Sequence, residues 1–235
     1  GPEDGTVVFD KLDITRAAFP RGPFADGSLA DILDDISAEN IWIRGARLAA
    51  ETGALDFGEA VITDVRDERI GGLTLNDARL EIRDGRHPGV VEMASFKVGD
   101  IDLHRLRAMP TDPLRAIDRF RIVGMTAEFE QGWKFAVEDF LVLDINAAGA
   151  VVTGFDATLT GLSFAVADIR NEGIRAFLSG LGYRSVTVDG AVSPRYDPEV
   201  RVQRLDGLSL VLRDGGRVEG FLSLGGLGPE IFRLS

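Results

Sequence analysis

The sequence predicts a mainly β protein: a long curled antiparallel meander with about three short amphipathic helices, folded either into a two-layer sandwich or into a groove. Three observations predict it. Apolar and polar residues alternate over most of the chain, turn-forming dipeptides separate the alternating segments, and helical spacing recurs in only three short stretches. With 235 residues, 45% hydrophobic and 27% charged, the chain can build one large β-rich domain, assigned to residues 3–235.

Strands are predicted at 5–15, 39–49 and 54–65. Over 72–84, Leu73, Leu75, Leu80 and Ile82 alternate in two short runs broken at Asn76-Asp77, the mark of a bend or bulge. Over 89–104, Val91, Met93, Phe96, Val98, Ile101 and Leu103 form two in-phase pieces with a shift at Ala94-Ser95. Further strands follow at 119–130, 133–145, 150–166, 183–193, 200–213 and 216–224. Asp214-Gly215-Gly216 marks a hairpin, because Gly tolerates the positive φ of tight turns, and Tyr196-Asp197-Pro198 closes the preceding pair. Residues 183–224 are therefore a three-stranded meander. Gly72-Leu73, Gly124-Met125, Gly161-Leu162, Gly207-Leu208 and Gly226-Leu227 read as recurring strand starts without a fixed period.

The helical stretches are short. Ser28 and Asp31 resemble a capping box ahead of Leu29, Ile32, Leu33 and Ile36. Pro113 follows Asp112 at a first helical position, with Leu114 and Ile117 facing one way over two turns. Ile174, Phe177, Leu178 and Leu181 form the third stripe, ended by Gly182. Each stripe needs a sheet to lie on. The third is expected to pack on the strands around Leu210 and Leu222, with Phe177 buried.

A net charge of −12 without any Lys/Arg cluster speaks against nucleic acid and against electrostatic docking on anionic lipid. Lys11, Lys97 and Lys134 are the only lysines, and this bias toward Arg, Ala, Gly and Asp is that of a GC-rich bacterial genome. With no cysteine, disulfides, thiolate nucleophiles and Cys-ligated metals are excluded. Gly1-Pro2 reads as the scar of tag removal. The domain is expected to be cut from a longer protein whose export signal or membrane anchor lies outside this chain.

Motifs whose mechanism is legible from spacing, such as G-x-S-x-G, a phosphate loop, H-E-x-x-H or an EF-hand, are missing from the sequence. His87 falls in the turn composition Asp84-Gly85-Arg86-His87-Pro88-Gly89 and is assigned to a solvated loop. Asp100, Asp102 and His104 alternate, which would align three metal ligands on one strand face; a polar outer face opposite Ile101 and Leu103 explains the same pattern, and no metal site is assigned. Glu138 and Asp139, as strand neighbours, should point to opposite faces, and Asp34-Asp35 belong to the solvated side of the first helix. No catalytic residue and no cofactor is assigned, and the chain is expected not to be an enzyme.

The aromatic residues are more informative. Phe129, Trp133, Phe135 and Phe140 surround one hairpin, and Phe155, Phe164, Phe177 and Tyr183 follow along the next strands and the helix. Ordinary core packing accounts for such a series. An apolar groove accounts for it as well, because residues 139–144 are apolar on both strand faces, leaving one face for a second layer or for a hydrophobic ligand.

The segment Gly154-Phe155-Asp156-Ala157-Thr158-Leu159-Thr160-Gly161-Leu162, the helix ending Gly180-Leu181-Gly182-Tyr183, the Tyr196-Asp197-Pro198 turn and the Asp214-Gly215-Gly216 hairpin together resemble uncharacterised exported proteins of alphaproteobacteria. More distantly the pattern is similar to AsmA/TamB-like and YdgA-like envelope proteins. The resemblance spans roughly residues 119–226 and brings no catalytic motif. It implies a periplasmic domain tethered to the inner membrane, in a group where several members offer a curled apolar groove to lipids. This chain is shorter than the long-groove members and carries three helices.

The expected function is therefore non-catalytic binding of an acyl chain or envelope lipid, with Phe129, Trp133, Phe135, Phe140, Phe155, Phe164, Phe177 and Tyr183 as candidate contacts. The alternative is a structural or adaptor module that holds an envelope protein by adding a strand at an open sheet edge.

Overall fold

A computed structural model describes residues 6–17, 37–83, 87–108, 113–148 and 151–226. The first predicted helix, at 28–36, and Asp34-Asp35 lie outside the described residues. Eleven strands follow one another: β1 (Thr6–Thr15), β2 (Ala38–Ala50), β3 (Gly53–Arg66), β4 (Arg69–Ile82), β5 (Gly89–Asp102), β6 (Arg119–Phe129), β7 (Lys134–Ala148), β8 (Val151–Ala165), β9 (Ser185–Asp197), β10 (Val202–Leu212) and β11 (Gly216–Gly225). They form a single antiparallel sheet in chain order, with β1 and β11 as its edges among the described residues. The expected long meander is present, and the pattern of alternation placed every strand.

The strands are long, 10 to 15 residues, because they are bent rather than ended at residues that tolerate left-handed backbone. Gly45, Asp77, Gly124, Gly161 and Gly207 on the even-numbered strands have φ of +58, +52, +61, +65 and +68°. Gly and, less readily, Asp adopt this region at low cost. From β1 to β8 the bends line up: Asp10, Gly45, Gly58, Asp77, Ala94, Gly124, Glu138 and Gly161 fall at the gap in each successive ladder, and pairing resumes beyond it in the same register. A second line carries its positive φ on the odd-numbered strands, at Asp64, Asp100 and Asp144, with Arg16 just past the end of β1. The sheet is thus creased twice.

At a crease two consecutive residues face outward, so inward-facing residues are spaced by three instead of two. Ile43 and Ala46, Phe57 and Ala60, and Leu75 and Ala78 straddle the first crease and pack into one apolar cluster. Ala38 and Ile41, Ile62 and Val65, Ile70 and Leu73, and Val98 and Ile101 straddle the second in another. Apolar side chains from both sides of each crease meet, so the creases close toward the apolar face. The sequence breaks at Asn76-Asp77 and Ala94-Ser95 are the first crease. Gly124, Gly161 and Gly207, taken from the sequence as strand starts, are mid-strand crease residues instead.

The helices depart more from expectation. β5 ends at Asp102, whose carboxylate accepts from the Arg105 amide at 2.9 Å, and a short helix α1 (Leu103–Ala108) follows, where alternation extended the strand to 104. Leu103, Leu106 and Ile117 cover the end of the second crease. Pro113–Ala116 is one 3-10 turn rather than a helix of two turns. Helix α2 (Glu172–Gly180) forms where its stripe predicts, with the left-handed Gly182 just past its C-cap, but it does not lie on the sheet: Ile174, Phe177 and Leu181 are 52, 66 and 60% exposed. Phe177 is therefore not a core residue.

Candidate functional site

The two sides of the sheet differ in chemistry. On the inner side, cross-strand neighbours form continuous apolar rows. One runs Leu12, Ile43, Ala60, Leu75, Phe96, Ile122, Phe140 and Leu159. The next runs Ile14, Ile41, Ile62, Leu73, Val98, Phe120, Val142 and Ala157 in the same ladders, and reaches Val192 on β9. Across the first crease lie Phe9, Ala46, Phe57, Ala78, Met93, Met125 and Val137. Directly opposed apolar pairs of this kind are the unit of sheet stability. Most of the large ones remain half-buried, among them Ile43, Leu75, Phe96, Ile122 and Phe140.

That half-burial sets the problem this face poses. A single sheet buries one face only when something lies on it. Among the described residues outside the strands, Ala17, Leu103, Leu106 and Ile117 do so, at one end. Of the two architectures left open by the sequence, the described strands make no second layer. An apolar hollow of about 410 Å³ lies at the far end of the inner rows, lined by Leu48, Leu55, Leu80 and Ile82 among others.

The outer side is polar and its charges are paired across strands. Arg47 meets Asp56 at 3.3 Å, Arg44 meets Glu59 at 3.7 Å, and Asn76 donates to Glu59 at 3.3 Å. Arg79 pairs with Glu92, and Arg121 with Asp139. Glu138, beside Asp139, also has an arginine partner: Arg213 reaches it with two bonds of 3.0 Å and binds Asp189 at 2.9 and 3.0 Å. The expectation that Glu138 and Asp139 face opposite ways fails because the crease turns two neighbours outward together. Arg213 holds both the Glu138 and Asp189 carboxyls below their ordinary range, with the Gly161 amide adding a hydrogen bond to Asp189 at 2.7 Å. A hollow of about 820 Å³ on this side is lined by polar residues such as Arg79, Glu92, Thr126, Lys134, Ser163 and Thr187. Two of its carboxylates, Glu92 and Glu128, are already paired with Arg79 and Lys134, and the apolar face is the better candidate site.

The predicted contact residues divide. Phe135, Phe140 and Phe164 stand on the apolar rows, opposite Ala127, Ile122 and Leu159, and Val186 respectively. Phe140 meets Phe120 edge-on at 5.7 Å, and Phe129 stacks on Phe135 at 6.2 Å at the end of β6. Phe155 sits at the second crease, where Asp144 and Ile145 stand opposite it alone. Trp133, Phe177 and Tyr183 lie elsewhere. Trp133 is half exposed in the β6–β7 turn under the Arg170 guanidinium, 5.1 Å away. Tyr183 donates its hydroxyl to the Asp214 carbonyl at 2.9 Å. The aromatic series missed the aliphatic majority of the face, which the three-residue spacings at 57/60, 75/78 and 93/96 would have located.

Asp100, Asp102 and His104 do not share a face. Asp100 is at the second crease with φ +55°, Asp102 caps α1, and His104 projects from that helix toward Glu68 at 3.8 Å. No group of three ligating side chains able to hold a metal occurs among the described residues. His87 lies exposed beside Gln131 at 3.2 Å.

Fold and site define a class: an open, creased, single-layer antiparallel sheet with one apolar and one charge-paired face. Compared with known proteins, the chain matches no family model, no curated protein and no solved structure.

Proposed function

We propose that the apolar face is a trough for acyl chains, and that the protein is a non-enzymatic lipid-binding domain of the bacterial envelope. One observation carries the reading: apolar rows run unbroken across at least eight strands, with large side chains half-buried and no described second layer to cover them. Burying such surface is favourable at about 25 cal/mol per Å², and an extended hydrocarbon fits a trough whose rows run perpendicular to the strands. Neither inner row carries a charge, which suits hydrocarbon and not a peptide backbone. The sequence resemblance to AsmA/TamB-like and YdgA-like proteins supports the same reading and with it a periplasmic site, anchored at the inner membrane through segments outside this chain. Native mass spectrometry of protein purified from cells, followed by lipid extraction, tests it. Co-purifying lipid and uptake of a fluorescent fatty acid are the expected results; protein that carries neither argues for another role.

A second reading rests on β11. Every residue of this edge strand is exposed, with Phe221 at 87%, and an uncovered edge is a template for an added strand. In that reading the domain is an adaptor that pairs with an envelope protein. Stoichiometric recovery of one such protein by pull-down, lost when Pro replaces Val218, would favour it.

A further inference from the structure

We infer that helix α2 and the β6–β7 turn form a foot by which this domain rests on a phospholipid bilayer. The helix is complete without the sheet. The Asn171 side chain accepts from the Ile174 amide at 3.0 Å, and at the other end Gly182 (φ +87°) and Tyr183 return their amides to Ser179 and Leu178, both at 3.0 Å, which closes a Schellman cap. Yet its stripe of Ile174, Phe177 and Leu181 is more than half exposed, while Leu178 turns inward. An amphipathic helix held with its apolar stripe outward is the geometry of interfacial attachment.

Two further observations choose the occupant. Trp133, 50% exposed, lies under Arg170, which stands two residues before the helix begins, and Arg170 has no carboxylate partner among the described residues. Indole rings and long cationic side chains around an apolar patch suit the headgroup boundary, where the cation reaches phosphate and the ring stays at the interface. Area argues against a second protein chain. The exposed parts of Ile174, Phe177, Leu181 and Trp133 amount to roughly 450–500 Å², well short of the ~800 Å² per partner that a stable protein interface buries. A bilayer has no such minimum. The overall charge of −12 repels an anionic surface, so Arg170 acts locally and insertion of the apolar stripe supplies the attraction. The foot lies at the end of β8 and the start of β9, beside the inner pair Phe164 and Val186.

The test is flotation with vesicles of phosphatidylethanolamine and phosphatidylglycerol, with Trp42→Phe leaving Trp133 as the one indole. Co-flotation with a blue shift of Trp133 emission is expected. The triple variant Ile174→Ser, Phe177→Ser, Leu181→Ser should melt like the parent and bind vesicles at least tenfold more weakly. Phe140→Gln, which alters the trough and not the foot, should float like the parent whether or not the trough holds lipid. The inference is overturned if the parent does not float, if the triple variant floats equally well, or if the parent is a dimer without vesicles that the triple variant dissociates.

Discussion

The Glu138 side chain lies across the backbone of Gly161, so that a Cβ on Gly161 would fall 2.3 Å from Glu138 Cδ. The same relation recurs where Asp10 crosses Gly45 and Ala94 crosses Gly124: on one strand a left-handed glycine, on the next a side chain folded over it. Gly161→Ala should cost about 1–2 kcal/mol, since φ of +65° strains any L side chain and Glu138 must also move. Gly220→Ala, in open space and without a positive φ, serves as the control and should change stability by less than about 0.5 kcal/mol. Urea unfolding of the two variants checks both.

Arg213 joins Glu138 to Asp189 and depresses both carboxyls. A carboxyl whose pKa is lower in the folded state contributes stability above its unfolded value, about 4 for Asp and Glu, and loses it as pH falls through the folded value. The urea midpoint should therefore decline below pH 4, and Arg213→Met should flatten that decline. The groups are solvent-exposed, so the effect should be small and weaken further in 0.5 M salt. An unaltered acid limb in the variant would show that the triad is not coupled to folding.

Phe57 and Phe177 provide a contrast in burial. Phe57, 8% exposed in the first crease cluster, should lose about 3–5 kcal/mol on truncation to Ala. Phe177→Ala, at 66% exposure, should stay within about 0.5 kcal/mol of the parent. Equal losses would mean that α2 is packed in solution.

Phe140 stands mid-trough between Ile122 and Leu159. Phe140→Gln should weaken binding of a fluorescent fatty acid roughly tenfold or more, in line with ~1.5–3 kcal/mol for burial of such a side chain. Val123→Gln, on the outer face opposite Asp139, should leave that binding unaltered. Titration of both variants with the probe decides the matter.

Alternation along the chain was enough to determine the eleven strands, their order and the meander, because a strand's side-chain period is local and each turn's chemistry is carried by its own residues. The three-residue skips at Asn76-Asp77 and Ala94-Ser95 were also legible, for the same local reason. What they meant was not: a single skip reads as a bulge, and only pairing reveals that the bends of adjacent strands fall on one line and crease the whole sheet. Tertiary structure also decided the fate of the helix at Ile174, Phe177 and Leu181. Its spacing specifies a stripe, but whether the stripe meets a sheet or solvent depends on where the capped ends of the helix are tethered. Likewise Asp100, Asp102 and His104 alternate on paper, while the crease at Asp100 and the helix start after Asp102 separate them in space. Local periodicity fixes which residues can share a face, and long-range pairing fixes which face is left open.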